Sequence, residues 1–137
     1  MKHLRLLTAL TALLLIVAAP ATHADTPKAN GKLKVFILAG QSNMVGFGTV
    51  LGDKPGTMQY HVKNDQDKYG HLVKGGDPIV RDDVYVVDLS YADKQKMNWL
   101  DTNFGAQANH IGPEYGFGWV VGDYYEDPVL IIKSAWG

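Results

Sequence analysis

Four consecutive apolar residues, Val35-Phe36-Ile37-Leu38, run into Ala39-Gly40 and stop at Gln41-Ser42-Asn43, after which Gly46 and Gly48 leave the backbone bare. A run that is apolar at every position, rather than at alternate ones, suits a strand buried on both faces, as parallel strands are. Parallel strands need long crossover connections, usually helical. This one segment therefore commits the chain to an α/β architecture. We predict strands over 33–38, over 84–89 (VYVVDL) and over 129–132 (VLII), the last apolar enough to be a central strand.

Between the second and third strands, 90–108 reads as a polar connection. Pro113 is placed as the first residue of a helix, where its missing N–H is no loss, and Glu114 suits the positive helix start. Phe117, Val120, Val121 and Tyr124 follow at i, i+3, i+4 and i+7, an apolar helical face. Asp127-Pro128 ends that helix. Residues 46–82 read as a long glycine-rich loop, with short strands at 60–62 and 71–73 that could pair as a hairpin. A loop of that length inside a compact domain is commonly functional. Asp82-Asp83 reads as a solvated turn, with divalent-metal binding there a remote option.

The first 24 residues have the three parts of a secretory signal: Lys2 and Arg5, an apolar stretch over 6–19, and small residues before a cleavage point after Ala21 or Ala24, of which we favour Ala24. That stretch is shorter than the roughly 20 apolar residues a membrane span requires. We expect a secreted or periplasmic protein with no stable membrane anchor. Residues 25–32 form a flexible lead-in, and 33–137 one small domain. The chain has no cysteine, which excludes disulfides and thiolate metal sites. Its thirteen basic residues, less Lys2 and Arg5, face fourteen acidic ones, a net charge of −3 after cleavage. Without a Lys/Arg cluster it lacks the footprint of a nucleic-acid binder.

Ser42 stands at the carboxyl end of the first strand, the rim where ligands and chemistry gather in open α/β sheets. A serine hydroxyl becomes a nucleophile when a base takes its proton, and acyl transfer also needs donors for the developing oxyanion. The Ser42 backbone N–H is one such donor. Two roles stay open for Ser42: nucleophile, or cap of a following helix. Met44 rules out the Gly-x-Ser-x-Gly elbow, and no Gly-Lys-Ser/Thr follows to make a P-loop.

Three segments carry a family likeness: 35–44 (VFILAGQSNM), 111–117 (IGPEYGF) and 130–137 (LIIKSAWG). In that order they resemble the SGNH-type hydrolases, in particular the sialate O-acetylesterase-like carbohydrate esterases. The resemblance implies a doubly wound, flavodoxin-like parallel sheet, of which this chain would be the N-terminal part, truncated after the third strand. It implies Ser42 as nucleophile and Gly112 as an oxyanion donor, with Gln41, Asn43 and Glu114 beside the site. The substrate would be an acetylated carbohydrate or other small ester, and neither metal nor organic cofactor would be needed. The family's Trp-x-Gln-Gly-Glu segment and Asp-x-x-His pair are not found in the sequence: Met58, Lys68 and Gln107 stand three residues before His61, His71 and His110. The chain alone is therefore expected to be nearly inactive. His110 could reach the rim, and His61 and His71 could line a cleft. Trp99, Phe104, Tyr115, Trp119 and Trp136 could stack on sugar rings or serve as packing. Two other readings stay open: a carbohydrate-binding domain of the same fold without catalysis, and an inactive remnant.

Overall fold

The computed structural model describes residues 31–90 and 95–136, so the expected leader and nearly all of the expected lead-in lie outside the described residues. Each apolar run is a strand. β1 (Lys34–Gly40) is followed by the one-turn helix α1 (Ser42–Val45) and the two-residue strand β2 (Gly48–Thr49). Next come α2 (Met58–Asn64), α3 (Gln66–Tyr69), a 3-10 turn (Gly70–Leu72) and a small hairpin of β3 (Val73–Lys74) and β4 (Asp77–Pro78). The chain continues through β5 (Arg81–Asp88), β6 (Lys96–Leu100), β7 (His110–Ile111), α4 (Pro113–Tyr124) and β8 (Val129–Ala135).

The main sheet has the order β1-β8-β5-β6. β8 is parallel to both of its neighbours, and β6 closes the far edge antiparallel to β5. The apolar 129–132 run is thus a central strand. In a flavodoxin-like sheet the first strand lies between the second and third. Here the third parallel strand takes the middle and β1 lies at the edge of the described sheet, so that expected order is not the one observed. β6 falls where a polar connection was expected. Lys96-Met97-Asn98-Trp99-Leu100 buries only Leu100 fully, which is why an edge strand of this kind escapes a search for apolar runs.

Helix and sheet meet through glycine. A Cβ on Gly118 would lie 2.4 Å from Leu100 Cδ2 and 3.2 Å from Ile131 Cδ1, and one on Gly122 would strike Arg81 and Val84. The packed stripe of α4 is therefore Tyr115, Gly118, Trp119 and Gly122, not the stripe of Phe117, Val120, Val121 and Tyr124 that apolar spacing suggested. Val121 is buried, but Val120 is 68% exposed and Tyr124 76%. Periodicity of apolar side chains cannot register a face built on absent ones. Beneath α4 lie Val84, Val86, Leu100, Val129 and Ile131, all buried.

The 46–82 segment is more ordered than its glycines suggest. Residues 60–62 belong to α2, not to a strand. Thr57 caps that helix by accepting the Tyr60 N–H at 3.3 Å, and Met58 and Val62, four apart, bury one face. The hairpin instead joins 73–74 to 77–78 across Gly75-Gly76, both at positive φ as a tight two-residue turn demands. Asp82 and Asp83 open β5 and do not form a turn. Arg81 donates to Asp83 (2.6 and 2.8 Å) and Asp123 (2.6 Å) while stacking on Trp119. Hydrogen bonds from Arg81 hold the Asp83 carboxyl below its ordinary pKa.

Among the described residues nothing covers the second face of the sheet. Val35, Ile37, Tyr85, Val87, Met97, Trp99, Leu130 and Ile132 point to it by alternation, and none is fully buried. Ile37, at 72% exposure, is the extreme. The two faces should respond differently to truncation. Ile131→Ala is expected to cost about 2–5 kcal/mol, and Ile37→Ser to leave stability within about 0.5 kcal/mol, both read from urea unfolding of the chain.

Candidate functional site

Ser42 lies one residue past the bend that closes β1. Gly40 pairs with Ala135 at the carboxyl ends of two parallel strands, and its carbonyl accepts the Trp136 N–H at 3.0 Å. A Cβ at Gly40 would lie 2.7 Å from Met44 Cβ, so only glycine lets α1 fold back over the strand end. The cap of α1 is Gln41, in extended conformation, whose carbonyl accepts from Met44 (2.8 Å) and Val45 (3.0 Å). Ser42 is the first helical residue, and its side chain caps nothing. The capping role is therefore not realised. Gln41, Ser42 and Asn43 are all exposed. The Ser42 N–H stands in the first turn, where no helical carbonyl reaches it.

The opposite end of α1 is pressed against the start of α4. Gly46, at φ 92°, leaves room for Gly112: a Cβ on it would lie 2.4 Å from Gly112 Cα and 2.8 Å from the Ile111 carbonyl. β2 and β7 pair at this junction, Gly48 opposite Ile111 and Thr49 opposite His110. Pro113 is the first residue of α4, as its sequence position predicted, with Gly112 as the cap. The Gly112 N–H, expected to face a substrate oxyanion, donates instead to Glu114 Oε1 at 2.7 Å. An amide so engaged has no hydrogen left for a substrate oxygen.

Behind this junction is a buried charge cluster. Lys133 is fully buried on the covered face of β8. Its ammonium donates to the Val45 carbonyl at the end of α1 (2.9 Å) and to the Phe104 carbonyl. Glu114 Oε2, also fully buried, lies 2.9 Å away, close enough for strong attraction but off the hydrogen-bond direction. Asp88 Oδ2 lies 3.7 Å away. Burial pushes the Glu114 carboxyl above its ordinary pKa, while Lys133 and the Gly112 amide pull the other way. Sequence reading quoted Lys133 only as part of a segment. The signal was present: alternation puts position 133 on the same face as Val129 and Ile131, and a charge in a buried register needs partners.

The three described histidines are engaged elsewhere. His61 packs between Tyr60 and Tyr69, His71 lies edge-on to Trp119 at 5.1 Å, and His110 Nδ1 is 3.2 Å from the Ala108 carbonyl. Among the described residues none of them hydrogen-bonds to Ser42. Of the aromatic residues, Phe104, Tyr115 and Trp119 are core, Trp99 stacks on Tyr85 on the open face, and Trp136 is 86% exposed. A mostly apolar cavity of about 270 Å³ lies beside β2 and β7, walled by Thr49, His61, Tyr69, Ile111 and Tyr115.

Replacing Lys133 by methionine leaves two buried carboxylates and two carbonyls without their cation, and is expected to cost about 3–5 kcal/mol in urea unfolding. Gly46→Ala combines positive φ with backbone overlap and should destabilise by about 2 kcal/mol or more. Because the folded pKa of Glu114 is raised, its contribution to stability is full below the ordinary glutamate pKa and is lost as pH rises through the raised value. A pH series of urea midpoints should show that loss in the native chain and not in Glu114→Gln.

Compared with protein-family models, curated proteins and solved structures, the chain matches none.

Proposed function

We propose that this chain is the nucleophile-bearing part of an exported serine ester hydrolase that removes acyl groups, acetyl first among them, from a carbohydrate. The observation that carries the reading is a convergence. The three segments with the esterase likeness lie far apart in the chain, yet the end of β1 with α1, the start of α4 and the end of β8 meet at one rim. Gly40 pairs with Ala135, Gly46 packs on Gly112, and Lys133 pairs with Glu114. The SGNH-type fold is proposed on this convergence, although β8 and not β1 holds the middle of the described sheet.

In the proposed reaction Ser42 Oγ bonds to the ester carbonyl carbon while its proton passes to a base. The Ser42 N–H stabilises the oxyanion. The bond to the sugar oxygen then breaks, and the base returns the proton to the departing hydroxyl. Water then attacks acyl-Ser42 as the same base takes its proton and passes it to the departing Ser42 oxygen, releasing the carboxylic acid. The base and its orienting carboxylate would come from outside the described residues. Gly112 is not used as an oxyanion donor, since Glu114 holds its amide.

A second reading, carbohydrate binding without turnover, is favoured by that occupied amide and by the exposed indole of Trp136 beside the same rim.

Incubating the chain with 4-nitrophenyl acetate separates the two. The esterase reading expects an acetyl group on the Ser42 peptide by mass spectrometry, faster formation with added imidazole as a surrogate base, and no adduct in Ser42→Ala. Acetylation spread over lysines and unchanged in Ser42→Ala would overturn it.

A further inference from the structure

Lys133 and Glu114 are placed where they can control the site without touching a substrate. Lys133 Nζ holds the last carbonyl of α1 at 2.9 Å, and that helix is a single turn with Ser42 as its first residue. Glu114 uses its two oxygens on two elements: Oε1 takes the Gly112 N–H at 2.7 Å, and Oε2 faces the ammonium at 2.9 Å. Gly112 in turn sits against Gly46, the residue that ends α1. A closed circuit results, running from α1 to Lys133, to Glu114, to Gly112 and back to α1. Every group in it is buried or half-buried, so water cannot substitute for a lost member without opening the junction.

We propose that Lys133 and Glu114 are positioning residues, a buried pair that fixes the Ser42 turn against the Gly112 junction. The proposal builds on the esterase reading of Ser42. It assigns to the pair the precision that an attacking oxygen needs, since a displacement of about 1 Å at a reacting atom can cost about 100-fold in rate. Asp88 is the reserve partner at 3.7 Å, which is why loss of Glu114 need not leave the ammonium alone.

Amide NMR spectra of the ¹⁵N-labelled chain test this directly. Glu114→Gln keeps an oxygen for the Gly112 N–H but turns an NH2 donor toward the Lys133 ammonium, so it should hold Gly112 near its native position and shift the Ser42–Val45 and Gly46 resonances less than Glu114→Ala does. Glu114→Ala removes that acceptor. It should shift Gly112 and, through the circuit, Gly46 and the α1 amides, while β6 and residues 81–86 of β5 stay unchanged. Ser42 acetylation by 4-nitrophenyl acetate should follow the same order, with Glu114→Ala about 100-fold slower. Shifts confined to Gly112 and its chain neighbours in a folded Glu114→Ala would overturn the proposal. Should Glu114→Ala unfold, Lys133→Arg gives the second arm: it keeps the charge but misplaces the donors, and a native α1 spectrum in that variant would also overturn the proposal. If native Ser42 is never acetylated while the α1 shifts appear as expected, the esterase reading fails and the positioning role stands.

Discussion

A single ammonium group, that of Lys133, sets the arrangement of everything around Ser42. A lysine with no solvent contact is costly unless its charge and its protons are matched. Here the match comes from four places in the chain: a carbonyl from α1, a carbonyl from the segment after β6, a carboxylate from α4 and a carboxylate from β5. Two of those elements are short or irregular where they meet the lysine. α1 has one turn, and Phe104 lies in a stretch without regular structure. Neither has enough backbone pairing to locate itself. Apolar packing would have secured β8 at least as well, because replacing buried ion pairs by hydrophobic groups is often neutral or stabilising. What the charge adds is direction, since carbonyls and carboxylates must face it.

The same region depends on bare backbone. Gly40, Gly46 and Gly112 let three chain segments approach closer than any Cβ permits, and Gly118 and Gly122 do the same for α4 on the sheet. Between Gly46 and Gly112, where backbone meets backbone, the contact is rigid, because no side chain stands between them to adjust. The lysine supplies attraction and the glycines supply proximity. Together they bring Ser42 and the start of α4 to the two ends of one turn.

Much of this was legible in the residues. The three apolar runs marked the parallel strands, Val129 to Ile132 marked the central one, and Pro113 marked the first residue of α4. The Gly-Gln-Ser bend marked the rim. What escaped notice shares a physical cause: features defined by something other than an apolar pattern. The packed face of α4 rests on glycines, β6 is an edge strand with one buried residue, and α2 turns on the Thr57 cap while its Tyr60-His61-Val62 centre reads as strand. The Gly112 amide, an oxyanion donor only by the family resemblance, is held by Glu114, which the sequence marked as a favourable charge at a helix start. Its carboxylate also reaches back to the cap amide, which a general helix-dipole argument does not specify.

The open sheet face gives the lysine a further consequence. Successive residues of β8 alternate between the faces, so Val129, Ile131, Lys133 and Ala135 point under α4, and Leu130, Ile132 and Ser134 to the open side. Because both sets begin with aliphatic residues, hydrophobic burial alone discriminates weakly between this register and one slipped by a single residue, in which the two sets exchange faces. Lys133 breaks the tie. Slipped, its ammonium would leave Glu114 and Asp88 facing apolar side chains with no cation between them, and the Val45 and Phe104 carbonyls would lose their donor. The register that remains sets Gly40 opposite Ala135 and so places the Ser42 bend at the rim. A charge in the core thereby determines where an exposed hydroxyl stands.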